Sequence, residues 1–428
     1  MTLFGVDRRV VVLALARMAD SVGNSFLIVV LPLYIESSVV TGGTFGLTEA
    51  LVTGIILAMF GLLNSIAQPF AGRLSDRLGK RRAFILLGLA VLAVTDAAYA
   101  FAGSYDALLL IRAIQGIGVA LTIPATIALV NELATTRTRG GNMGVFNTFR
   151  LIGFGIGPVV AGAVVAAGPY QVLGVALSGF HAAFYIASLS ALVSIAFVTA
   201  FVRDPEETTA AAGDDLEVSI LGGSSGHLLD PVFTLGLATL AMATGIALLS
   251  TIQPQINARL GQGPTMFGVE FGAFIAAQVL LQTPLGRGSD YYGRKPFIVW
   301  GLVLLVPATL AQGLVVAPWQ MVVARFVQGV AGAMVFAPAL ALAGDLARKG
   351  RSGTQLSVLT MAFGLGTAFG PLTSGFLIRY GYVTPFVFGA AAAGAAALLV
   401  YSQVDETLGR SGAGPGPGPA EERAEAVD

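Results

Sequence analysis

The sequence is dominated by twelve runs of mainly apolar residues, each long enough to cross a lipid bilayer as a helix. Crossing the hydrocarbon core takes about 20 helical residues. Helix is the expected state of every run, because an open strand cannot satisfy its backbone hydrogen bonds in lipid. The runs cover residues 10–35, 49–71, 83–103, 106–131, 142–168, 175–202, 231–256, 266–286, 296–317, 319–344, 354–379 and 381–402. The pattern predicts an all-α polytopic membrane protein with twelve transmembrane helices.

The charge content agrees with this class and excludes others. Only 11% of the 428 residues are charged, whereas roughly 25% are charged in a soluble protein. Basic and acidic residues number 24 each, so the net charge indicates no nucleic-acid partner. There is no cysteine and there are two histidines, so we expect no disulfide, no metal site and no bound cofactor. The expected surroundings are the lipid bilayer.

The positions of the basic residues predict the orientation. With the amino terminus in the cytoplasm, eighteen of the 24 lysines and arginines lie on the cytoplasmic side. Positive charge is retained on that side of the membrane. The remaining six are Arg259 and Arg379 near the outer face, and Arg17, Arg112, Arg150 and Arg325 within spans. The distribution predicts a multi-pass protein of the plasma membrane with both termini in the cytoplasm.

The two halves of the chain carry the same motifs at a nearly constant offset. A charged loop at residues 72–82 recurs at 286–295, an offset of 214. An Arg-x-x-Gln-Gly motif at Arg112 recurs at Arg325, an offset of 213. A Gly-Pro motif recurs at the same offset as Gly157, Pro158, Gly370 and Pro371. Parallel six-helix repeats of this kind place a binding cavity between the halves, near mid-membrane.

The repeat predicts four segments. A six-helix bundle covers residues 1–202 and a second covers residues 231–402. The cytoplasmic segment 203–230 between them is acidic and ends in a Gly/Ser cluster, which is typical of a flexible linker. The tail at 403–428 contains an alternating Gly-Pro run and is predicted to be disordered.

These motifs resemble those of the major facilitator superfamily, specifically its twelve-helix drug:proton antiporters, over residues 10–402. Residues 72–82 match the charged motif between the second and third helices, with Ser75 at its small-residue position. The fourth span matches the Arg112 motif, and the fifth matches a glycine-rich motif in which Ala161 replaces a glycine. The resemblance implies a monomeric, proton-driven exporter of small amphipathic or drug-like compounds that works by alternating access. A proton symporter importing a polar metabolite or organic anion is the open alternative.

Other functions have less support in the sequence. We find no Ser/His/Asp set, no metal cluster and no phosphate-binding Gly-x-x-x-x-Gly-Lys-Ser/Thr motif. An intramembrane enzyme or an ATP-driven pump is therefore not expected. A receptor is disfavoured because no sensor domain is recognisable.

The charged loop is the predicted gate. Asp76 does not contribute to positive-inside retention, but a carboxylate here can pair with arginines or lie at a helix amino terminus. The resemblance implies that such contacts lock the two halves together on the cytoplasmic side when the cavity faces outward. A simple turn and topology anchor is the alternative. The candidate gating residues are Gly72, Asp76, Arg77, Gly79, Arg81 and Asp290.

Charged residues inside spans are candidates for coupling, because their burial in lipid is costly. Asp20 lies about ten residues into the first span, and the helix rise places Arg112 within about 5 Å of the same depth. We predict that Asp20 binds the coupled proton and that Arg112 adjusts its proton affinity. Arg17 lies on the same helix face as Asp20 and could instead form a structural pair with it. Asp96 is the second candidate for a titrating group.

Two further sets of residues within spans have predicted roles. The candidates for lining the substrate cavity are Asn24, Gln115, Arg150, Gln253, Gln278 and Arg325. Each of these could also join helices by hydrogen bonds. Small residues at four-residue spacing predict close helix packing in the fifth and eleventh spans. The packing candidates are Gly153, Gly157, Pro158, Gly370 and Pro371.

Overall fold

The computed structural model describes residues 2–3, 6–37, 39–44, 46–133, 139–172, 174–204, 220–221, 228–346 and 352–407. Most of the predicted linker (205–219 and 222–227) and most of the predicted tail (408–428) lie outside the described residues. Six of the cations counted for the orientation also lie outside them: Arg137, Arg348, Lys349, Arg351, Arg410 and Arg423.

The described residues form thirteen α-helices, of which twelve are long and apolar enough to cross a membrane. This confirms the predicted all-α polytopic class. The helices are α1 (Arg8–Glu36), α2 (Glu49–Leu78), α3 (Arg81–Ala98), α4 (Tyr105–Glu132), α5 (Arg139–Ala167), α6 (Gly179–Phe201), α7 (Pro231–Ala247), α8 (Gln253–Leu260), α9 (Pro264–Tyr292), α10 (Arg294–Leu314), α11 (Pro318–Leu346), α12 (Ser352–Leu377) and α13 (Thr384–Gln403). Only the eight-residue α8 is too short to span.

Four short strands and three 3-10 turns complete the described secondary structure. The strands pair antiparallel as β1 (Thr2–Leu3) with β2 (Val6–Asp7), and β3 (Tyr170–Val172) with β4 (Val175–Leu177). Strand β4 occupies residues that the sequence assigned to the start of the sixth span, whereas β3 lies in the predicted connection before it. Each 3-10 turn directly follows a helix. Tyr99–Phe101 follows α3, Leu248–Ser250 follows α7 and Ile378–Tyr380 follows α12.

The seventh span ends earlier than predicted. We expected a continuous helix to residue 256, but α7 gives way to a 3-10 turn and α8 begins at Gln253. Pro254 explains the break, because proline has no N–H to donate and fits the first turn of a new helix.

The charged segment 72–82 is mostly helix rather than the predicted loop. α2 continues through Leu78, and the chain turns at Gly79, whose φ of 63° lies in the left-handed region. The Gly79 N–H donates to the Ser75 carbonyl, which closes the end of the helix. Glycine adopts this φ without strain, so a two-residue turn is enough to join α2 to α3. The second copy behaves alike, with Gly293 (φ 108°) between α9 and α10.

Helices of each half pack mainly with one another. In the first half, α1 packs with α5 and α6, α2 with α4, and α3 with α4 and α6. In the second, α7 packs with α12 and α13, α9 with α11, and α10 with α11 and α13. The main contacts between halves are α2 with α12 and α5 with α9. We call the side of the bundle with the α2–α3 and α9–α10 turns the charged face, and the other side the opposite face.

The halves pack closely near the opposite face and diverge towards the charged face. At Gly162 of α5 and Gly268 of α9, a Cβ would collide with the backbone of the facing helix. Gly54 of α2 lies against α12 in the same way. Towards the charged face, no atom of the described residues lies within 4 Å of a Cβ built at Gly144 of α5 or Gly286 of α9. The space between the halves therefore opens at the charged face.

Candidate transport site

Arg81 organises the charged face of the first half. This buried guanidinium forms an ion pair with Asp76 and donates to the Ser75 hydroxyl at 3.2 Å. It also pairs with Glu132 at the end of α4, with Nη2 3.0 Å from Oε1. The three partners come from α2 and α4, so Arg81 fastens both helices to the start of α3.

Arg294 repeats this arrangement in the second half. It forms ion pairs with Asp290 at 3.2 Å and with Asp345 at the end of α11. Arg81 and Arg294 are 213 positions apart, as are Glu132 and Asp345. The acids of the second copy are more exposed, at 60% for Asp290 and 43% for Asp345.

The other predicted gating residues lie around Arg81. Gly72 faces Pro124 of α4, Arg77 is exposed in the last turn of α2, and Gly79 forms the turn. All ion pairs found among the described residues join groups of the same half. Within the described part of the chain, the predicted lock between halves is therefore not formed in this conformation, in which the charged face is open.

Two acids that the sequence reasoning missed cap the helices following the charged turns. The Arg82 N–H at the start of α3 donates to the Asp204 carboxylate, which follows α6, at 2.8 Å. The Lys295 N–H at the start of α10 donates to the Glu406 carboxylate, which follows α13, also at 2.8 Å. A carboxylate at a helix amino terminus accepts from free N–H groups and interacts favourably with the helix dipole.

The predicted coupling residue Asp20 pairs with Arg17. Both side chains are buried in α1, at 4% and 9% exposure, and the Arg17 guanidinium donates to the Asp20 carboxylate. Leu89 of α3, Thr122 of α4 and a few other side chains enclose the pair. Asp20 therefore faces the interior of the first half.

Arg112, predicted to adjust the proton affinity of Asp20, lies in a different part of the same interior and has no described contact with Asp20. Among the described contacts, Arg112 donates to Gln115 Oε1 at 2.7 Å, and Gln115 Nε2 donates to Asp96 at 2.6 Å. Tyr99 also donates to Gln115, at 3.1 Å. Asp20 and Arg112 do not meet because α1 and α4 are longer than the hydrocarbon core is thick. Arg112 therefore lies nearer the opposite face than its predicted depth. The Asp96 carboxyl is close enough to interact electrostatically with both Asp20 and Arg112.

Arg325 lies in the equivalent interior of the second half. It is fully buried, donates to Gln328, and lies over the ring of Phe274 at 4.7 Å. No acid was predicted from the sequence to lie near Arg325. The structure places the buried carboxylate of Glu270 of α9 within electrostatic range. Its sequence signal was a single acid inside an otherwise apolar run.

The remaining cavity candidates divide by exposure. Asn24, Arg150 and Gln278 are half-buried, and Arg150 donates twice to Asn147 Oδ1, at 3.0 and 2.9 Å. Gln253 is fully buried at the start of α8. Gln115 and Arg325 are likewise enclosed within their halves, so neither can touch a solute in this conformation.

The predicted packing residues lie at helix contacts. Gly153 and Gly157 of α5 lie directly against the backbone of α1, and Gly370 of α12 lies against α7. The carbonyl groups of Pro158 and Pro371 lie where the two halves meet near the opposite face. A side chain at these glycines would overlap the neighbouring backbone.

An aromatic and aliphatic cluster lies where the two halves meet. It contains Leu151, Phe271, Phe274 and Ile275, with residues of α1, α5 and α7 packed against it. The ring centres of Phe154 of α5 and Phe271 lie 5.7 Å apart, so the cluster joins both halves.

The sequence matches the family model described as Major Facilitator Superfamily over residues 13–235 and 235–422. The relatives include the quinolone resistance protein NorA of Staphylococcus aureus (strain MRSA252), which is 24% identical over 394 residues, covering 89% of this chain and 93% of that protein. The uncharacterized MFS-type transporter MJ1560 of Methanocaldococcus jannaschii is 29% identical over 184 residues, covering 43% of this chain and 48% of that protein.

Two solved structures illustrate the similarity of fold. The D-xylose-proton symporter superposes with a TM-score of 0.74 at 18% identity, covering 94% of this chain and 97% of that chain. The human organic anion transporter MFSD10 (TETRAN) gives 0.67 at 22% identity, covering 92% and 99%. At these identities the likeness concerns the fold alone.

Proposed function

Because the chain belongs to the Major Facilitator Superfamily of membrane transporters, we propose that it is a proton-coupled antiporter exporting small amphipathic or drug-like compounds by alternating access. The relatives named quinolone resistance proteins support drug-like substrates. The apolar cluster around Phe271 and Phe274 supports a cavity suited to amphipathic solutes.

The observation that carries the proposal is the Asp20 carboxylate buried beside Arg17. Asp20 lies twelve residues into α1, about 18 Å along the helix. A proton on Asp20 neutralises the carboxyl and frees the Arg17 guanidinium, whereas a charged Asp20 holds Arg17. Proton binding thus changes the net charge inside the first half, and no other ion has to bind. Coupling requires such a group, whose charge changes between the two stages of the cycle.

We assign the charged face to the cytoplasm, since most basic residues lie there. The structure then corresponds to the cytoplasm-open stage, and the plasma membrane is the proposed location. The two halves that would form the proposed cavity belong to one chain, which supports function as a monomer. In the stage open on the other side, Asp76 is proposed to help hold the charged face closed.

Transport in proteoliposomes tests the proposal. With an imposed pH gradient, the purified wild-type protein should move ethidium, a lipophilic cation, against the direction of proton flow. Asp20→Asn should lose gradient-driven transport but retain exchange of ethidium at equal pH. Asp106→Asn, which changes an exposed acid in the first turn of α4, is the matched control and should behave as wild type. Full gradient-driven transport by Asp20→Asn would reject the assignment of Asp20.

Arg150 favours a second candidate, a proton symporter of organic anions. Its described hydrogen-bond partner is the neutral Asn147, and it lies within electrostatic range of Arg17. Two neighbouring guanidinium groups attract an anion. Uptake of fluorescein along the proton gradient in the same vesicles, abolished in Arg150→Gln, would favour this candidate over export.

A further inference from the structure

The two halves hold their buried arginines in the same way. Arg112 lies 4.7 Å from the ring centre of Phe60 on α2, and Arg325 lies 4.7 Å from that of Phe274 on α9. Each arginine also donates to the glutamine three residues later in its own helix. Phe60 and Phe274 are 214 positions apart, which is the offset of the charged turns. The arginine, the ring and the glutamine are therefore a scaffold shared by both halves.

The acids near this scaffold are not shared. Asp96, which Gln115 contacts in the first half, is replaced at an offset of 213 by Thr309, which Gln328 contacts at 3.2 Å. Conversely, Glu270 lies at the position of Ile56, four residues before the respective phenylalanine. Since the first half packs with an isoleucine at this site, the scaffold itself does not require a carboxylate there.

Glu270 is fully buried without a hydrogen bond. Neither carboxylate oxygen has a partner among the described residues, and the same holds for Nε and Nη2 of the fully buried Arg325. The Gln262 amide lies near the carboxyl, but not in hydrogen-bonding geometry. An ion buried without direct pairing carries a large desolvation penalty. Arginine does not lose its proton in proteins, whereas a carboxyl can become neutral.

The other charged or titratable groups facing this site come from α8 and from the turn before α13. Arg259 of α8 lies 4.6 Å over the ring of Tyr382, which is itself within electrostatic range of Glu270. Burial raises the pKa of Tyr382 to about 12, with Arg259 opposing the rise and Glu270 adding to it. The phenol therefore stays neutral near pH 7. On the other side of α9, α5 presents the Pro158 and Val159 backbone.

Glu270 also lies next to the contact between the halves. It is two residues from Gly268, where α9 meets α5, and about 9 Å along the helix from the opposite end at Pro264. The adjacent Phe271 contacts Phe154 of α5 and lies 5.4 Å from the Arg325 guanidinium. When the opposite face opens, the contact between α9 and α5 must separate. Water then reaches the turn of α9 that carries Glu270.

We propose that Glu270 is a second proton-binding carboxyl of the transport cycle, neutral in the conformation seen here and ionised against Arg325 when the opposite face opens. In the closed conformation the proton stays on a carboxyl oxygen. When the face is open, the carboxylate is stabilised by Arg325 and accepts a proton from water there. The neutral carboxyl persists through closure, and the proton leaves towards the charged face before the opposite face opens again. Proton binding at Glu270 therefore favours closure of the opposite face. This inference rests on the proposed function, because it assigns a second group to the same proton coupling.

Infrared difference spectroscopy of the full chain in liposomes tests proton binding directly and needs no substrate. A pH step should change a carboxylic-acid C=O band in the wild type, and Glu270→Gln should lack that component while Asp106→Asn retains it. Glu270→Asp, which keeps a carboxyl, should restore a shifted band and covers the case in which the glutamine variant does not fold. An unchanged band in Glu270→Gln would overturn the proposal.

Ethidium transport in the same liposomes tests the coupling. Glu270→Gln should exchange ethidium at equal pH but lose transport driven by an imposed pH gradient. Full gradient-driven transport by this variant would overturn the role of Glu270 in coupling. If the wild-type protein moves no ethidium against a proton gradient, the antiporter proposal fails, whereas the infrared band still reports independently whether Glu270 binds a proton.

Discussion

Arg81 and Glu132 form an ion pair of 3.0 Å that joins the start of α3 to the end of α4. The equivalent pair in the second half, Arg294 with Asp345, joins α10 to α11. The two pairs occupy matching positions but differ in burial, since 4% of the Arg81 side chain is exposed and 18% of Arg294. This difference provides a matched comparison within one molecule.

We expect Arg81→Ala to destabilise the protein more than Arg294→Ala. Removing Arg81 leaves Asp76 and Glu132 without their buried cation, and breaking a buried pair costs about 3 kcal/mol. The acids around Arg294 are largely exposed, so its loss should cost about 1 kcal/mol or less. Thermal unfolding in detergent measures the order of the two variants. Equal apparent melting temperatures of the two variants would show that the difference in burial does not make the Arg81 pair more stabilising than the Arg294 pair.

The two helix caps at the charged face should contribute equally. We expect Asp204→Ala and Glu406→Ala each to destabilise the protein by about 1 kcal/mol, the usual effect of losing an N-cap acceptor. The double variant should show the sum, because the caps serve different halves. The same unfolding measurement checks this. A strongly non-additive double variant would show that the two caps are energetically coupled.

The number and the course of the helices could be predicted because apolar length is a local property of the sequence. Helix ends depend on fewer residues and were predicted less well. The charges of the 72–82 segment suggested a loop, yet α2 passes through most of them and ends at the left-handed Gly79. Asp204 and Glu406 could not be assigned as caps, since they lie 122 and 111 residues from the N–H groups they accept.

The site was predicted only where partners are close in sequence. Arg17 was named as an alternative partner of Asp20 because three residues separate them, and the structure joins them. Arg112 was placed too near Asp20, because its depth was counted over a core of about 30 Å. By helix rise, the two lie about 12 Å apart along the bundle. Glu270 escaped notice because Arg325 lies 55 positions away on another helix.

Gln115 should matter more for stability than its counterpart Gln328. Gln115→Leu removes hydrogen bonds to the charged groups Asp96 and Arg112, which we expect to cost about 3 kcal/mol. Gln328→Leu removes contacts to Arg325 and to neutral groups, and should cost about 1–2 kcal/mol. Apparent melting temperatures of the two variants decide the order. A larger loss in Gln328→Leu would contradict the central place of Gln115 in its network.

Asp76→Asn should shift the protein towards the conformation open at the charged face. If Asp76 stabilises closure of that face, a neutral amide weakens the closed form and leaves the open form populated. The chain has no cysteine, so a single reporter can be introduced without background. A cysteine at Gly144, where α5 and α9 diverge, should be labelled faster by a maleimide in Asp76→Asn. Unchanged labelling would indicate that the charged segment 72–82 acts only as a turn and a topology anchor.

Gly268→Ala should shift the equilibrium in the other direction, towards opening of the opposite face. A methyl group at Gly268 collides with the Pro158 carbonyl of α5, and overpacking of this kind costs about 1–3 kcal/mol in the closed conformation. Since about 1.4 kcal/mol corresponds to a factor of ten, a cysteine at Thr265 should be labelled about tenfold faster. Gly286→Ala changes a glycine of the same helix that has open space around it, and should leave labelling at Thr265 unchanged. Equal rates in both variants would mean that the Gly268 contact does not hold the opposite face closed.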